Sequence, residues 1–265
     1  MTEISASLVK ELRDRTGAGM MDCKRALQET GGDVEAAQRL LREKGLAAAA
    51  KRAGRETTEG KVGYRVQDGL GVIVGVGCET EPVSNNAEFL AFAKKVLEAV
   101  WEKGVGAEQE LEEERAQLAA KLGENIAFVG AARFSQVDGG IIDGYAHPPR
   151  NALGSLVQIR GGNADVAHDL ALHITASAPR WISREDVPEE VVATERDIYA
   201  SSDEVQSKPE QAREKIVDGM MNKRFFAERG GALLEQPWLH ESSQTVAQAL
   251  GNAEVLEFER FALAG

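Results

Sequence analysis

Residues 69–78 read GLGVIVGVGC, and this stretch decides the fold. Its even positions are Leu70, Val72, Val74 and Val76, and its odd positions are Gly69, Gly71, Ile73, Gly75 and Gly77. An alternation of period two belongs to a strand, because successive side chains point to opposite faces. One face is apolar and the other nearly bare, so a helix or a second strand can approach it closely. The spacing matches neither G-x-G-x-x-G nor G-x-x-x-x-G-K-[ST]. The glycines also sit inside the strand rather than at a strand-to-helix turn, so they point to packing and not to a phosphate cradle.

Working outward, GKVGYRVQD before the strand supplies the other arm of a hairpin, and ETEPVSNN after it is a loop. Asn85 or Asn86 is placed to cap a helix whose stripe is Phe89, Phe92, Val96 and Val100. The same order recurs about 80 residues later, which argues for a duplicated subdomain of the α+β type. There, GGIIDGYAHPPRNALGSLVQIRGG places Tyr145 where the first copy has Tyr64, and Val166, Leu170, Leu172 and Ile174 mark the following helix. His147 falls in the turn of this second hairpin and is expected near the surface. Between the copies, EQELEEERAQLAAKLGEN reads as an acidic helix with a solvated face.

Toward the amino terminus the pattern is helical. Ile4, Leu8 and Leu12 fall at helical spacing, with Ser5 as cap and Gly17 as stop. A second helix runs from Asp22 to Thr30, and Asp33 caps a third that is expected to stop at Gly45. Adjacent Met20 and Met21 point about 100° apart on a helix, so at least one is expected to look outward or to pack a second surface: either they serve one inner and one outer surface, or both pack within the small domain and its linker. LAAAAKRAGRETTEGK then reads as a linker. Toward the carboxyl terminus, 188–229 suggests two polar helices joined near Ser207-Lys208-Pro209. A turn at Pro237, a short helix and a strand around Val255 to Phe261 complete the chain. The expected division is therefore 1–45 helical, 46–60 linker, 61–135 first core half, 136–187 with 230–265 second core half, and 188–229 a projecting helical hairpin.

Composition narrows the function. With 265 residues, 43% of them hydrophobic, and a net charge of −12, the chain can bury a real core and is a poor phosphate-backbone binder. No apolar run approaches a bilayer's width, and the amino terminus, with an acid at Glu3, is neither a signal nor a transit peptide. Cys23 and Cys78 are far apart and outside any Cys-x-x-Cys pattern, which suits a reducing cytoplasm.

No convincing catalyst stands out. His168 and His173 are five apart, not the i, i+4 spacing of a helical metal pair, whereas Asp169 and His173 could pair on a helix face. Glu79 and Glu81 beside Cys78 raise a thiol pKa, the wrong direction for a nucleophile. Lys24 and Arg25 are sequence neighbours of Cys23 and do not face it on a helix. An enzyme reading would rest on Cys78 or His147 alone. A peptide-binding module would account for the helical first 45 residues and leave the other 220 unexplained.

The blocks LVKELRDRTGAGMMDCKRAL, CETEPVSNNAEFLAFAKKV, KLGENI, HITASAP, EDVPEEVV, LLEQPW and AEVLEFERF together resemble the bacterial elongation factor Ts family, from Ile4 to about Phe261. The resemblance implies an α+β fold with a ubiquitin-associated-like helical domain, two related core halves and an inserted helical hairpin. It implies a cytoplasmic guanine-nucleotide exchange factor of protein biosynthesis, not an enzyme. This factor would bind the GTPase elongation factor Tu one-to-one and promote GDP release without metal or cofactor, nucleic acid or membrane. The residues expected to meet the GTPase are Met20, Met21, Thr80, Glu81, Pro82, Val83 and His147. Two departures stand out. Thr80-Glu81-Pro82 replaces the family's usual Thr-Asp-Phe, and AFVGAA follows GENI where the family usually has a basic pair.

Overall fold

The computed structural model describes residues 4–263, so Glu3 lies outside the described residues. The first sheet consists of β1 (Glu59–Gln67), β2 (Leu70–Cys78) and β3 (Ile126–Ser135), antiparallel, with β2 in the centre. The second consists of β4 (Gly140–Ala146), β5 (Leu153–Arg160) and β6 (Glu254–Ala262), antiparallel, with β5 in the centre.

The two faces of β2 have different partners. Val72, Val74, Val76 and Cys78 pack on Phe89, Phe92, Val96 and Val100 of helix α5 (Ala87–Lys103). The bare face meets the second sheet: Ile73 is buried with Val62, Ile142 and Leu156 in the seam between the sheets. A Cβ on Gly71 would stand 2.5 Å from Ile142 Cγ2, and one on Gly144 would stand 2.6 Å from the Tyr64 ring. The glycines thus let two whole sheets close on each other. Each half runs strand, strand, helix, strand. In the second half α7 (Ala164–Ser177) covers β5, burying Leu170, Ala171 and Ile174 against Val157 and Ile159.

The amino-terminal unit comprises α1 (Ala6–Thr16), α2 (Met20–Glu29) and α3 (Val34–Arg52), around Val9, Leu12, Cys23, Ala26, Leu27 and Ala37. Ser5 caps α1 by accepting from the Leu8 N–H at 3.2 Å, and Gly17, at φ +69°, ends it. The expected stop at Gly45 is wrong. Helix α3 continues to Arg52, so the first part of the segment read as a linker is helical. The run Ala47–Ala50 consists of the best helix former, and Ala49 is buried in the first core. Gly45 carries no left-handed turn. It allows close approach instead, since a Cβ there would stand 3.1 Å from the Ala120 Cβ.

That contact lies on α6 (Glu112–Leu122), the acidic helix. It is more than a solvated face, because Leu118 and Ala119 are buried in the first core. Its glutamates tie neighbours together: Glu113 pairs with Arg42 of α3 and Glu114 with Lys95 of α5.

Between the strands of the second half lies a helical segment. Its helices α8 (Glu189–Ser201) and α10 (Glu210–Met220) flank the single turn α9 (Asp203–Gln206) and continue into a π-helical stretch, Met221–Phe226. This segment has its own apolar cluster, including Val205, Val217, Met221 and Phe226. A short helix α11 (Val246–Leu250) precedes β6. No helix among the described residues is long and apolar enough to cross a membrane.

Candidate functional site: two adjoining turns

At the end of β2 the chain forms a single helical turn, α4 (Glu81–Ser84), before entering α5. Thr80 is its amino-terminal flank in extended geometry, and Pro82 sits in the first turn, where its missing N–H costs no helical bond. Asn86 caps α5, accepting from the N–H groups of Glu88 (2.8 Å) and Phe89 (3.4 Å). Thr80, Glu81 and Pro82 are exposed, whereas Val83 is partly buried on the first core. Val83 therefore spends much of its surface inward rather than offering it freely to a partner.

This turn is held at both ends. At its start, the Glu124 carboxylate accepts from the Glu79 N–H (3.1 Å), the Thr80 N–H (3.0 Å) and the Thr80 hydroxyl (2.6 Å). The Glu79 carboxylate in turn accepts from the Asn125 N–H at 2.6 Å. That bond, with Arg55 at 3.3 Å, holds the Glu79 carboxyl below the usual carboxylate range. At its far end, the Lys61 ammonium donates to Asn85 Oδ1 (3.0 Å) and to the Arg150 carbonyl (2.6 Å).

Lys61 thereby joins this turn to the one between β4 and β5, which carries His147. The Arg150 guanidinium binds both Glu59 oxygens, at 2.5 and 2.6 Å, and its Nε lies 3.9 Å from Glu81 Oε1. His147 is exposed, with its Nδ1 3.0 Å from the Tyr145 hydroxyl and its N–H donating to the Leu153 carbonyl. The structure thus brings Thr80–Val83 and His147 onto two turns linked by polar side chains, one from each half.

Met20 and Met21 belong to the amino-terminal unit, in the first turn of α2. Met20 is 49% and Met21 65% exposed, so the expectation of at least one outward methionine holds, while neither the inward–outward split nor the packing of both within the small domain is formed. The inward stripe of α2 starts at Cys23 and continues with Ala26 and Leu27, at i+3 and i+4. The preceding turn abuts the body, since a Cβ on Gly17 would stand 2.6 Å from Lys121 Cε, and Lys121 pairs with Glu88 at 2.7 Å.

The other candidate groups separate. His168 is exposed and pairs with Asp143 at 3.0 Å. His173 is buried, with Nε2 3.0 Å from Gln236 Oε1 and Nδ1 accepting from the Leu239 N–H. The expected Asp169–His173 pair does not form, because α7 turns His173 into the core and leaves Asp169 beside His240 at 3.5 Å. Cys78 is buried, and its thiol is pushed up to about 12, by burial first and then by Glu124. The direction matches the sequence reading, but the neighbouring glutamates that reading named are not the main cause.

Sequence reasoning missed Lys61, Glu124, Asn125 and Arg150 as parts of the site. Their contacts to it span 24 to 89 residues of chain. The only signal was that Glu124 and Asn125 lie within KLGENI, one of the resembling blocks.

The family model described as "Elongation factor TS" matches residues 79–265, which include both turns. Curated relatives named "Elongation factor Ts" from Escherichia coli O139:H28 (strain E24377A / ETEC) and Escherichia coli (strain K12 / DH10B) are 42% identical over 267 residues, covering 98% of this chain and 92% of theirs. The protein of that name from Shigella boydii serotype 18 (strain CDC 3083-94 / BS512) has the same identity and coverage.

Proposed function

The chain belongs to the elongation factor Ts family and is a guanine-nucleotide exchange factor for elongation factor Tu in translation elongation; from this premise we infer that the two adjoining turns are its working surface. The observation that carries the inference is the mounting of Thr80–Val83. An exposed carboxylate and a stiff proline stand on a single turn that Glu124 anchors on one side and Lys61 on the other. Such a mount resists displacement when pushed into a partner.

No bond need be made or broken, so the factor works by linkage and not as an enzyme. It binds the nucleotide-free GTPase better than the GDP form, and GDP weakens its binding by the same factor. Glu81 accepts hydrogen bonds from the GTPase, Pro82 stiffens the turn, and His147 extends the contact toward more distal parts of the partner. Met20 and Met21 offer a polarizable apolar patch that can adapt to a partner surface. The complex is one-to-one and cytoplasmic, with no nucleic acid or membrane involved.

The same reading extends to architecture. The three amino-terminal helices are a ubiquitin-associated-like domain joined by a short non-helical segment. The shared strand, strand, helix, strand order supports two related core halves, 61–135 and 136–187 with 230–265. The separate apolar cluster of α8 to α10 supports 188–229 as an inserted helical hairpin module.

Release of a fluorescent GDP analogue from elongation factor Tu, with and without the protein, tests the function. Strong acceleration is expected. An unchanged rate at saturating protein would overturn the reading.

A further inference from the structure

We propose that Glu124 is a positioning residue for nucleotide exchange: it holds the Thr80–Val83 turn in the posture that acts on the GTPase. This rests on the reading of that turn as a partner-contacting element.

The geometry is specific. Helix α6 ends at Gly123, at φ +78°, and this left-handed turn brings the next two residues back to the end of β2. There the Glu124 carboxylate receives three donors, two backbone N–H groups and the Thr80 hydroxyl, all from the two residues immediately before Glu81. Hydrogen bonds to an ionised acceptor are shorter and stronger than neutral ones. Asn125 completes the knot. Its N–H goes to the Glu79 carboxylate at 2.6 Å, and its buried side-chain amide donates to the Arg55 carbonyl at 2.7 Å, just beyond the end of α3. The turn is therefore tied through one corner to α6, to β3 and to the chain leaving the amino-terminal unit.

A group that acts by position should change the rate at which GDP leaves the ternary complex, and change little the concentration of factor needed to form it. A mere structural strut would lower the melting temperature and reduce activity only through the fraction unfolded. Glu124→Gln separates the two. It keeps the shape but removes the charge: the two N–H bonds lose their charge-assisted strength, and the Thr80 hydroxyl must turn round to accept from the new NH₂.

The experiment is stopped-flow release of labelled GDP from elongation factor Tu over a range of factor concentrations. It uses wild type, Glu124→Gln, Glu81→Ala and the double variant, with amide hydrogen exchange read at Glu79 and Thr80. We expect Glu124→Gln to lower the saturating rate several-fold and leave the half-saturating concentration nearly unchanged. Amide protection should be lost only around the turn. The double variant should be no slower than Glu81→Ala alone, because the two act through one element. Glu124→Asp, which keeps the charge and shortens the reach, is read the same way if the Gln variant melts below the assay temperature. A wild-type saturating rate for Glu124→Gln beside a slow Glu81→Ala overturns the proposal and leaves the turn's role standing. Additive losses, or a loss matching the unfolded fraction, also overturn it. A wild-type rate for Glu81→Ala overturns the turn's role and the proposal with it.

Discussion

Removing the Glu81 carboxylate deletes an exposed group whose nearest cation, the Arg150 guanidinium, is already engaged with Glu59. Glu81→Ala is therefore expected to change stability by no more than about 0.5 kcal/mol, as exposed substitutions do. Stimulated GDP release should slow several-fold. Pro82→Gly should slow it as well by loosening the turn, and Pro82→Phe should be tolerated or faster; the same stopped-flow assay checks all three. His147→Ala should weaken association more than it lowers the melting temperature, since the ring is exposed and bonds only to Tyr145 at 3.0 Å. Calorimetric titration beside thermal melts decides this. His173 gives the opposite kind of prediction. Burial holds its imidazole below the ordinary 6.5, with Gln236 opposing and His240 adding to the effect. As pH falls through about 6.5 the unfolded chain takes up this proton first, so stability present above that pH is lost on acidification. Denaturant unfolding at about pH 7.5 and pH 5.5 should show this loss in wild type and a smaller one in His173→Gln.

At the scale of elements, the extension of α3 past Gly45 alters what a truncation means. Removing residues 1–45 cuts inside a continuous helix and leaves Ala49, which is buried in the first core, on a stump. The remaining body should still fold, because both sheets keep their cores, but with a lower melting temperature. Its association with the GTPase should fall sharply. A gentler probe is Met20→Ser with Met21→Ser. Both side chains are exposed, so the fold should be unaffected, each change costing at most about 0.5 kcal/mol, while association weakens. Unchanged affinity by calorimetry would remove α2 from the interface.

For the whole molecule the decisive feature is the seam between the two sheets. Gly71 has no Cβ because Ile142 and Leu156 of the other half occupy that space. Gly71→Val should overpack the seam and destabilise the protein by about 1–3 kcal/mol. Because Ile73, Val62, Ile142 and Leu156 share one cluster, the two halves should unfold in one transition. Denaturant titration followed by both fluorescence and circular dichroism checks this, and two separated transitions would show the halves to be independent.

Whatever depends on local periodicity was legible in the chain alone. The alternation in 69–78 made a strand, the spacing of Phe89, Phe92, Val96 and Val100 made a helix, and the Asn85-Asn86 pair offered its cap, because these signals act within a few residues; the folded chain uses Asn86. Repetition of the hairpin-then-helix order was legible for the same reason. The bare face of β2 announced a close neighbour, but only the tertiary structure showed it to be a second sheet. Alanines that read as a linker became helix once Ala49 found the first core, and both methionines faced outward once Cys23 took the inward stripe. The anchoring of the Thr80–Val83 turn was invisible in the chain. Lys61 and Glu124 reach it across 24 and 44 residues within the first half and Arg150 across 69 from the second, and no local pattern encodes contacts between groups so far apart in the chain.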